Sequence, residues 1–392
     1  MTALHTDLTN RKSDYVFSSE SVSEGHPDKV CDQISDAVLD SYLQSDPQSR
    51  VACESMVTKD RVILCGEITS SKELDSSALI RDVIREIGYT RDDKGFDYNC
   101  TIENYLHGQS GELRSNAWEG NAGDQGLMFG YACDQTKQMM PLPIQTANLL
   151  LQELSKQRHS GAMPYLLPDA KSQVSFRYEE RTPVALDTLV ISTNHLKLSE
   201  ADFIRMKADI IELVAKPVIQ RVEAESIHEF EIDKCEFKIN PSGMWEEGGP
   251  AADTGLTGRK IIVDTYGGWA QHGGGAFSGK DSTKVDRSAA YMARHMAKSI
   301  VASKLAKECL IQIAYIIGEK RPVSLMVDTF NTGVAPDWKL VELLNREFDL
   351  TVKGIIEYLE LTRPIFRATA AFGHFGREDQ LFKWETSRNL SI

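Results

Sequence analysis

With 392 residues, the chain is long enough for two or three packed units, and its 57 acidic against 44 basic side chains leave a net charge of −13. So acidic a chain is not built for broad binding to nucleic acid or to a membrane surface, since phosphate-rich partners need a basic face. No run of eighteen apolar residues offers a spanning helix, and seven scattered cysteines without a C-x-x-C pair argue against a disulfide framework. A reducing, cytoplasmic setting is expected.

Residues 1–14 are polar and lack the apolar core of a signal peptide, so a disordered tail is expected there. Pro27 then suits the first turn of a helix, with Val30, Ile34, Val38 and Tyr42 recurring on one face. His26, Asp28 and Lys29 therefore cluster at a helix N-terminus, where the dipole favours an anion such as phosphate. Asp28 reads equally well as a magnesium ligand and as a first-turn acid.

RVACESMV and RVILCGEITS alternate as a hairpin closed at Thr58-Lys59-Asp60, and a helix from about Ser76 ends at Gly88. The same hairpin-plus-helix order recurs at SQVSFRY with ALDTLVISTNH before a helix over 199–222. It recurs again at LIQIAYIIGE with VSLMVDTFNT before a helix over 336–348. Three such units predict an α+β fold with rough threefold pseudo-symmetry, each small mixed or antiparallel sheet covered by helices. The expected division is 15–113, a linker or lid end over 114–126, then 127–243 and 244–392. Glu54 alternates in phase with Ala52 and Met56 and is expected on a partly buried face, while Glu67 follows Gly66 at the far end of its strand. Asp124, between two glycines, reads first as a tight turn.

The stretch from Gly248 to Arg287 is the densest in chemistry. It combines two glycine-rich loops with Arg259, Lys260, Lys280, Lys284 and Arg287, and with Asp253, Asp264, Asp281 and Asp286. Glycines admit phosphate oxygens to backbone N–H groups, cations neutralise them, and carboxylates hold the accompanying divalent ion, so the stretch reads as a polyphosphate site. Gly274 to Lys280 spells G-x-x-x-x-G-K, but Asp281 stands where a phosphate-binding loop needs Ser or Thr. Lys284 and Arg287 open a helix expected over 283–304, where cations oppose the dipole and so suggest an anionic partner. Trp245 offers a flat face for an adenine ring, although such a residue is more often core. The C-terminal aromatics are spaced to pack, without chemistry of their own.

Taken together, G-H-P-D-K, G-D-Q-G-L-M-F-G-Y-A, P-D-A-K-S-Q-V, G-L-T-G-R-K-I-I-V-D-T-Y-G-G and H-G-G-G-A-F-S-G-K-D resemble the S-adenosylmethionine synthases from about Val16 to Trp384. The resemblance implies three pseudo-symmetric α+β subdomains and a homodimer with shared active sites, commonly paired into a tetramer. It implies attack of the methionine sulfur on C5′ of ATP, with the triphosphate hydrolysed to pyrophosphate and phosphate. On this sequence it implies catalytic roles for His26, Lys171, Arg259, Lys280 and Asp124. ATP contacts fall on His26, Asp169, Lys171, Trp245, Asp253, Arg259, Lys260, Ala276 and Lys280. Methionine contacts fall on Glu67, Gln109, Asp253 and Lys284. Two Mg²⁺ ions would be held through Asp28 and Asp286, and K⁺ by Glu54. The chain departs from the family pattern after Gln109-Ser110, where Gly111-Glu112-Leu113 opens a shorter lid with Asn121 in place of Gly, and at Met244-Trp245-Glu246-Glu247. Two rival readings stand beside it: a phosphotransferase using the Gly274–Lys280 loop, and a non-catalytic regulatory relative.

Overall fold

A chain built from strand, long helix, hairpin and covering helix can be laid down three times, and that is the plan of the computed structural model, which describes residues 14–91, 94–108 and 121–392. The first unit runs β1 (Asp14–Val22), α1 (Pro27–Ser45), β2 (Arg50–Thr58), β3 (Arg61–Thr69), α2 (Ser77–Ile87) and β4 (Thr101–Gly108). The second runs β5 (Gly126–Cys133), α3 (Leu142–His159), β6 (Leu166–Glu179), β7 (Thr182–His195), α4 (Glu200–Ile210), a π turn (Ile211–Ala215), α5 (Lys216–Glu225) and β8 (Glu236–Ile239). The third runs β9 (Gly255–Leu256), α6 (Ile261–Asp264), α7 (Val285–Ala302), β10 (Glu308–Tyr315), β11 (Ser324–Asp328), α8 (Asp337–Glu347) and α9 (Val352–Leu359).

Local chemistry explains the punctuation. Pro27 opens α1, and Gly88 ends α2 in the left-handed region at φ 111°. The first two hairpins close over Lys59-Asp60 and Glu180-Arg181, with Asp60 and Glu180 at φ 53° and 56°. The expected hairpins and their covering helices are all present. The sequence reading did not anticipate α3, which is buried along most of its length and so lacks a one-sided apolar stripe.

The sheets are not made by each unit alone. Their strand orders are β1-β6-β7-β8, β11-β10-β5 and β4-β3-β2-β9. The first strand of each unit is thus handed on: β1 pairs with β6 of the second, β5 with β10 of the third, and β9 with β2 of the first. The exchange closes a ring. In the first two units the last strand lies parallel to the second hairpin strand, β4 on β3 and β8 on β7, which supports the internal repeat. The long helices α1, α3 and α7 cover the sheets, and two apolar cores result. Trp269 packs against both, set edge-on to Phe17 with its indole N–H donating to the Tyr131 hydroxyl at 2.8 Å. The C-terminal aromatics pack as expected, with Phe375, Phe382 and Trp384 buried.

Candidate functional site

A helix with an aspartate every fourth residue presents them all on one face, and α1 carries Asp28, Asp32, Asp36 and Asp40. The first three are buried, and each carboxylate ties down a different piece of the glycine-rich region. Asp28 accepts from the Leu256 N–H at 3.0 Å and from the Lys260 ammonium. Asp32 accepts from the Gly258 N–H at 2.9 Å and from Lys29 at 2.9 Å. Asp36 accepts from the Gly279 N–H at 2.8 Å and holds the Arg287 guanidinium at 2.6 and 2.8 Å. Asp40 accepts from the Phe366 and Arg367 N–H groups at 3.0 and 2.9 Å. Asp32, Asp36 and Asp40 were missed in the sequence reading; their four-residue spacing from Asp28 was the available signal.

At the head of this ladder lies the first group of expected site residues. His26 caps α1, its Nδ1 accepting from the Asp28 N–H at 3.2 Å. Burial, and then the neighbouring Lys260 ammonium, push the His26 imidazole down to about 3 against the pull of Asp28, with Lys171 adding to the push. The ring is therefore neutral, and with Nδ1 accepting, its proton sits on Nε2 as a donor. Arg259 lies 3.7 Å from Asp28. Asp169 accepts from the Gly249 N–H at 2.9 Å through Oδ2, while its buried Oδ1 has no hydrogen-bond partner. Burial pushes Asp169 up to about 6, with the Gly249 N–H and Lys171 pulling the other way. Exposed Asp253 lies on the same side and adds to the rise.

The second group gathers about 12 Å further along α1, taking 1.5 Å per residue from Asp28 to Asp36. Lys280 forms an isolated bridge with Ala52 and pairs with Asp286, while Lys284 pairs with Asp281. Gly279 is at φ 79°, and a Cβ there would stand 1.8 Å from the Cys53 carbonyl oxygen, so only glycine brings this loop down on β2. On the outer face of β2 and β3, Ala52 lies opposite Glu67 and Glu54 opposite Cys65. Glu67 sits 3.8 Å from His107. Partial burial, then Glu54 and Glu67, push the Cys65 thiol up, so it is no thiolate nucleophile. Ala276 links the groups, since a Cβ on Gly258 would come within 2.5 Å of its own.

Two expectations need correcting. Glu54 is exposed in this chain, because the inward side of β2 is taken by Val51, Cys53, Ser55 and Val57 under α1. Arg287 does not face an outside anion: it is fully buried and its charge is spent on Asp36. At the α1 N-terminus the His26 ring takes the Asp28 N–H, so an anion arriving there would meet the other edge of that ring. The G-x-x-x-x-G-K segment leads into a turn, with α7 starting only at Val285, so it lacks the strand-loop-helix setting of a phosphate-binding loop. Asp124 is exposed in a bend, with its carboxylate on the Gln125 N–H at 2.8 Å. The Trp245 indole N–H donates to the Glu247 carbonyl at 2.6 Å. Gln109 and the altered lid before Asn121 lie outside the described residues. Among the described residues, no three His, Cys, Asp or Glu side chains converge as a metal cage, and no helix is long and apolar enough to cross a membrane.

Fold and site together define a class: an α+β protein of three interlocked units whose glycine loops gather lysines and carboxylates along one helix. The family models S-adenosylmethionine synthetase N-terminal domain, central domain and C-terminal domain match residues 14–111, 119–245 and 247–386 in that order. The chain belongs to the S-adenosylmethionine synthetase family, whose activity is the synthesis of S-adenosylmethionine from ATP and methionine.

Proposed function

We propose that this chain transfers the adenosyl group of ATP to L-methionine by direct displacement. The thioether sulfur attacks C5′, the C5′–O bond breaks, and its electron pair leaves on the triphosphate, which water then cleaves to pyrophosphate and phosphate. Sulfur has no proton to lose, so the step needs no general base; it needs stabilisation of the charge gathering on the leaving oxygens. The observation that carries this reading is the convergence of His26, Lys260 and Lys171 at the head of α1, with His26 Nδ1 held by the Asp28 N–H so that Nε2 is left to face a ligand. His26 acts as a hydrogen-bond donor to the departing triphosphate, not as an ionising acid. Lys171, Arg259, Lys260 and Lys280 supply the positive charge, and Ala276 lines the nucleotide path. The unpaired Oδ1 of Asp169 takes a ribose hydroxyl, while Trp245 and Asp253 lie along the same segment. Glu67 and Lys284, with Gln109, offer both signs of charge to the methionine zwitterion, and Asp124 stands near the substrates.

Asp28 and Asp286 suit Mg²⁺, which is held by one or two carboxylates together with substrate phosphates and not by an all-protein cage. Each now pairs with a lysine, Asp28 with Lys260 and Asp286 with Lys280, so a magnesium triphosphate could exchange with both partners at once. Magnesium would neutralise charge on the phosphate oxygens. Glu54 alone, exposed and facing Cys65, would offer K⁺ a single carboxylate and not a cage.

A second copy of the chain is part of the proposal. The His26 and Lys280 groups are joined by no hydrogen bond or ion pair among the described residues, and the outer face of the β4-β3-β2-β9 sheet leaves Tyr105 and Leu256 exposed. A homodimer facing on this sheet, and a tetramer of such dimers, would bring the two groups together from different chains.

Incubation with ATP, L-methionine, Mg²⁺ and K⁺, followed by chromatography, tests the reading. Equal amounts of S-adenosylmethionine, pyrophosphate and phosphate are expected; ADP would favour the phosphotransferase, and no turnover would favour a regulatory relative. Lys280→Ala should slow turnover on the order of 10²-fold or more.

A further inference from the structure

A cavity of about 320 Å³ lies behind the His26 group, between the β2–β3 turn, the loop after α2 and the segment that follows Trp245. Its floor is apolar, with Tyr89, Phe96, Pro168 and Ala251 among the lining. Its charged groups fall on two walls. Lys59 lies against Gly95, where an added Cβ would be 3.6 Å from its Cε, and Lys94 is the next residue along; Glu246 and Glu247 form the other wall. Among the described residues none of these four charged ends has a hydrogen-bond or ion-pair partner. Arg91, also in the lining, already has an interaction of its own.

The acidic wall is fixed in place. On one side the Trp245 N–H donates to His195 Nε2 at 3.0 Å and the Trp245 carbonyl accepts from Asn194 at 2.8 Å. On the other, Gly249 donates to Asp169 and sits at φ 66° against Tyr89, where a Cβ would come 2.3 Å from the phenol oxygen. The cationic wall is tied by the Asp60 N–H to the Gly95 carbonyl at 2.9 Å. A lone anion entering the cavity would meet two carboxylates, and a lone cation two ammonium groups. A molecule carrying both charges on an apolar body meets a partner for each. The volume is at the lower end for small-molecule sites and accommodates an amino acid.

We propose that this cavity is a second small-molecule site, taking a zwitterion of the α-amino acid class with a bulky apolar side chain. Glu246 and Glu247 hold the ammonium, Lys59 and Lys94 the carboxylate, and Tyr89 and Phe96 the side chain. The site is separate from the lysines around His26, although the Tyr89 hydroxyl donates to the carbonyl of Gly25, the residue before His26.

Calorimetric titration of the full chain with the L-amino acids other than methionine, in the absence of ATP, tests this independently of the adenosyl-transfer reading. At least one bulky apolar amino acid should bind. Its decarboxylated amine and its deaminated acid should each bind at least tenfold more weakly. The double variants Lys59→Met/Lys94→Met and Glu246→Gln/Glu247→Gln, with melting temperatures confirming that they fold, should each lose at least tenfold in affinity. No binding across the panel, equal binding of either singly charged analogue, or undiminished binding in either folded double variant overturns the proposal.

Discussion

At the scale of single residues, a protonation state decides what His26 can do. An imidazole with a pKa near its ordinary value would change charge across neutral pH, and a rate that depended on it would bend there. Burial and the Lys260 ammonium put His26 at about 3, so it stays neutral from pH 6 to pH 8.5 and its Nε2–H persists as a donor. The pKa is depressed, so the neutral form dominates at every pH above that value and is lost only as pH falls toward it. His26→Asn should therefore slow turnover by the same factor at pH 6 and at pH 8.5, because what is removed is a hydrogen bond and not an ionisation. A wild-type to variant rate ratio that changed tenfold across that range would show that His26 titrates in the working enzyme. Asp36 makes the complementary case of a residue that touches no phosphate. It accepts from the Gly279 N–H and holds buried Arg287 through both oxygens. Asp36→Asn leaves a buried guanidinium without its counter-charge, for which breaking one partner of such a pair suggests a loss of about 3 kcal/mol in denaturant unfolding. A loss below about 1 kcal/mol would mean that the pair is not what seats the loop before Lys280.

At the scale of elements, what the sequence discloses depends on whether a segment has two unlike faces. α2 was legible because Ile80, Val83, Ile84 and Ile87 turn inward while Arg81 and Arg85 do not, and the first two hairpins because their alternation breaks at two-residue turns. α3 is buried along most of its length, so its apolar and polar residues do not sort by face and the sequence did not disclose it. β9 is two residues long and could not have been found from periodicity. The glycine-rich stretch displays its cations but not which carboxylate each one meets. Arg287 and Lys284 look alike on paper, and only the fold reveals that Arg287 belongs to Asp36 while Lys284 keeps a part-exposed ammonium beside Asp281. The aspartates of α1 were legible in principle. Their period of four marks one face of a helix, yet a buried row of acids reads as a solvated face until the loops that donate to it are in view.

At the scale of the whole molecule, the ring of exchanged strands governs both stability and the site. Each unit gives its first strand away and receives another, so none can bury both edges of its sheet alone. A fragment spanning residues 119–245 would lack β1 on β6 and would carry β5 with no β10 to pair, so it should show no cooperative unfolding transition; a sharp one by circular dichroism would refute the dependence. The same interlocking sets His26 and Lys280 on loops anchored to one helix but at separate points along it. If a working site takes His26 from one protomer and Lys280 from its partner, two broken chains can mend each other. A dimer pairing a His26→Ala chain with a Lys280→Ala chain has one site in which both residues are wild type and one in which both are lost. After unfolding and refolding an equal mixture, half the dimers are mixed and each has one sound site of two, so about a quarter of wild-type turnover should return. Were each site built within a single chain, every site in the mixture would carry one defect. Turnover would then stay at the level of the separate variants, and the shared-site proposal would fail while adenosyl transfer itself still stood.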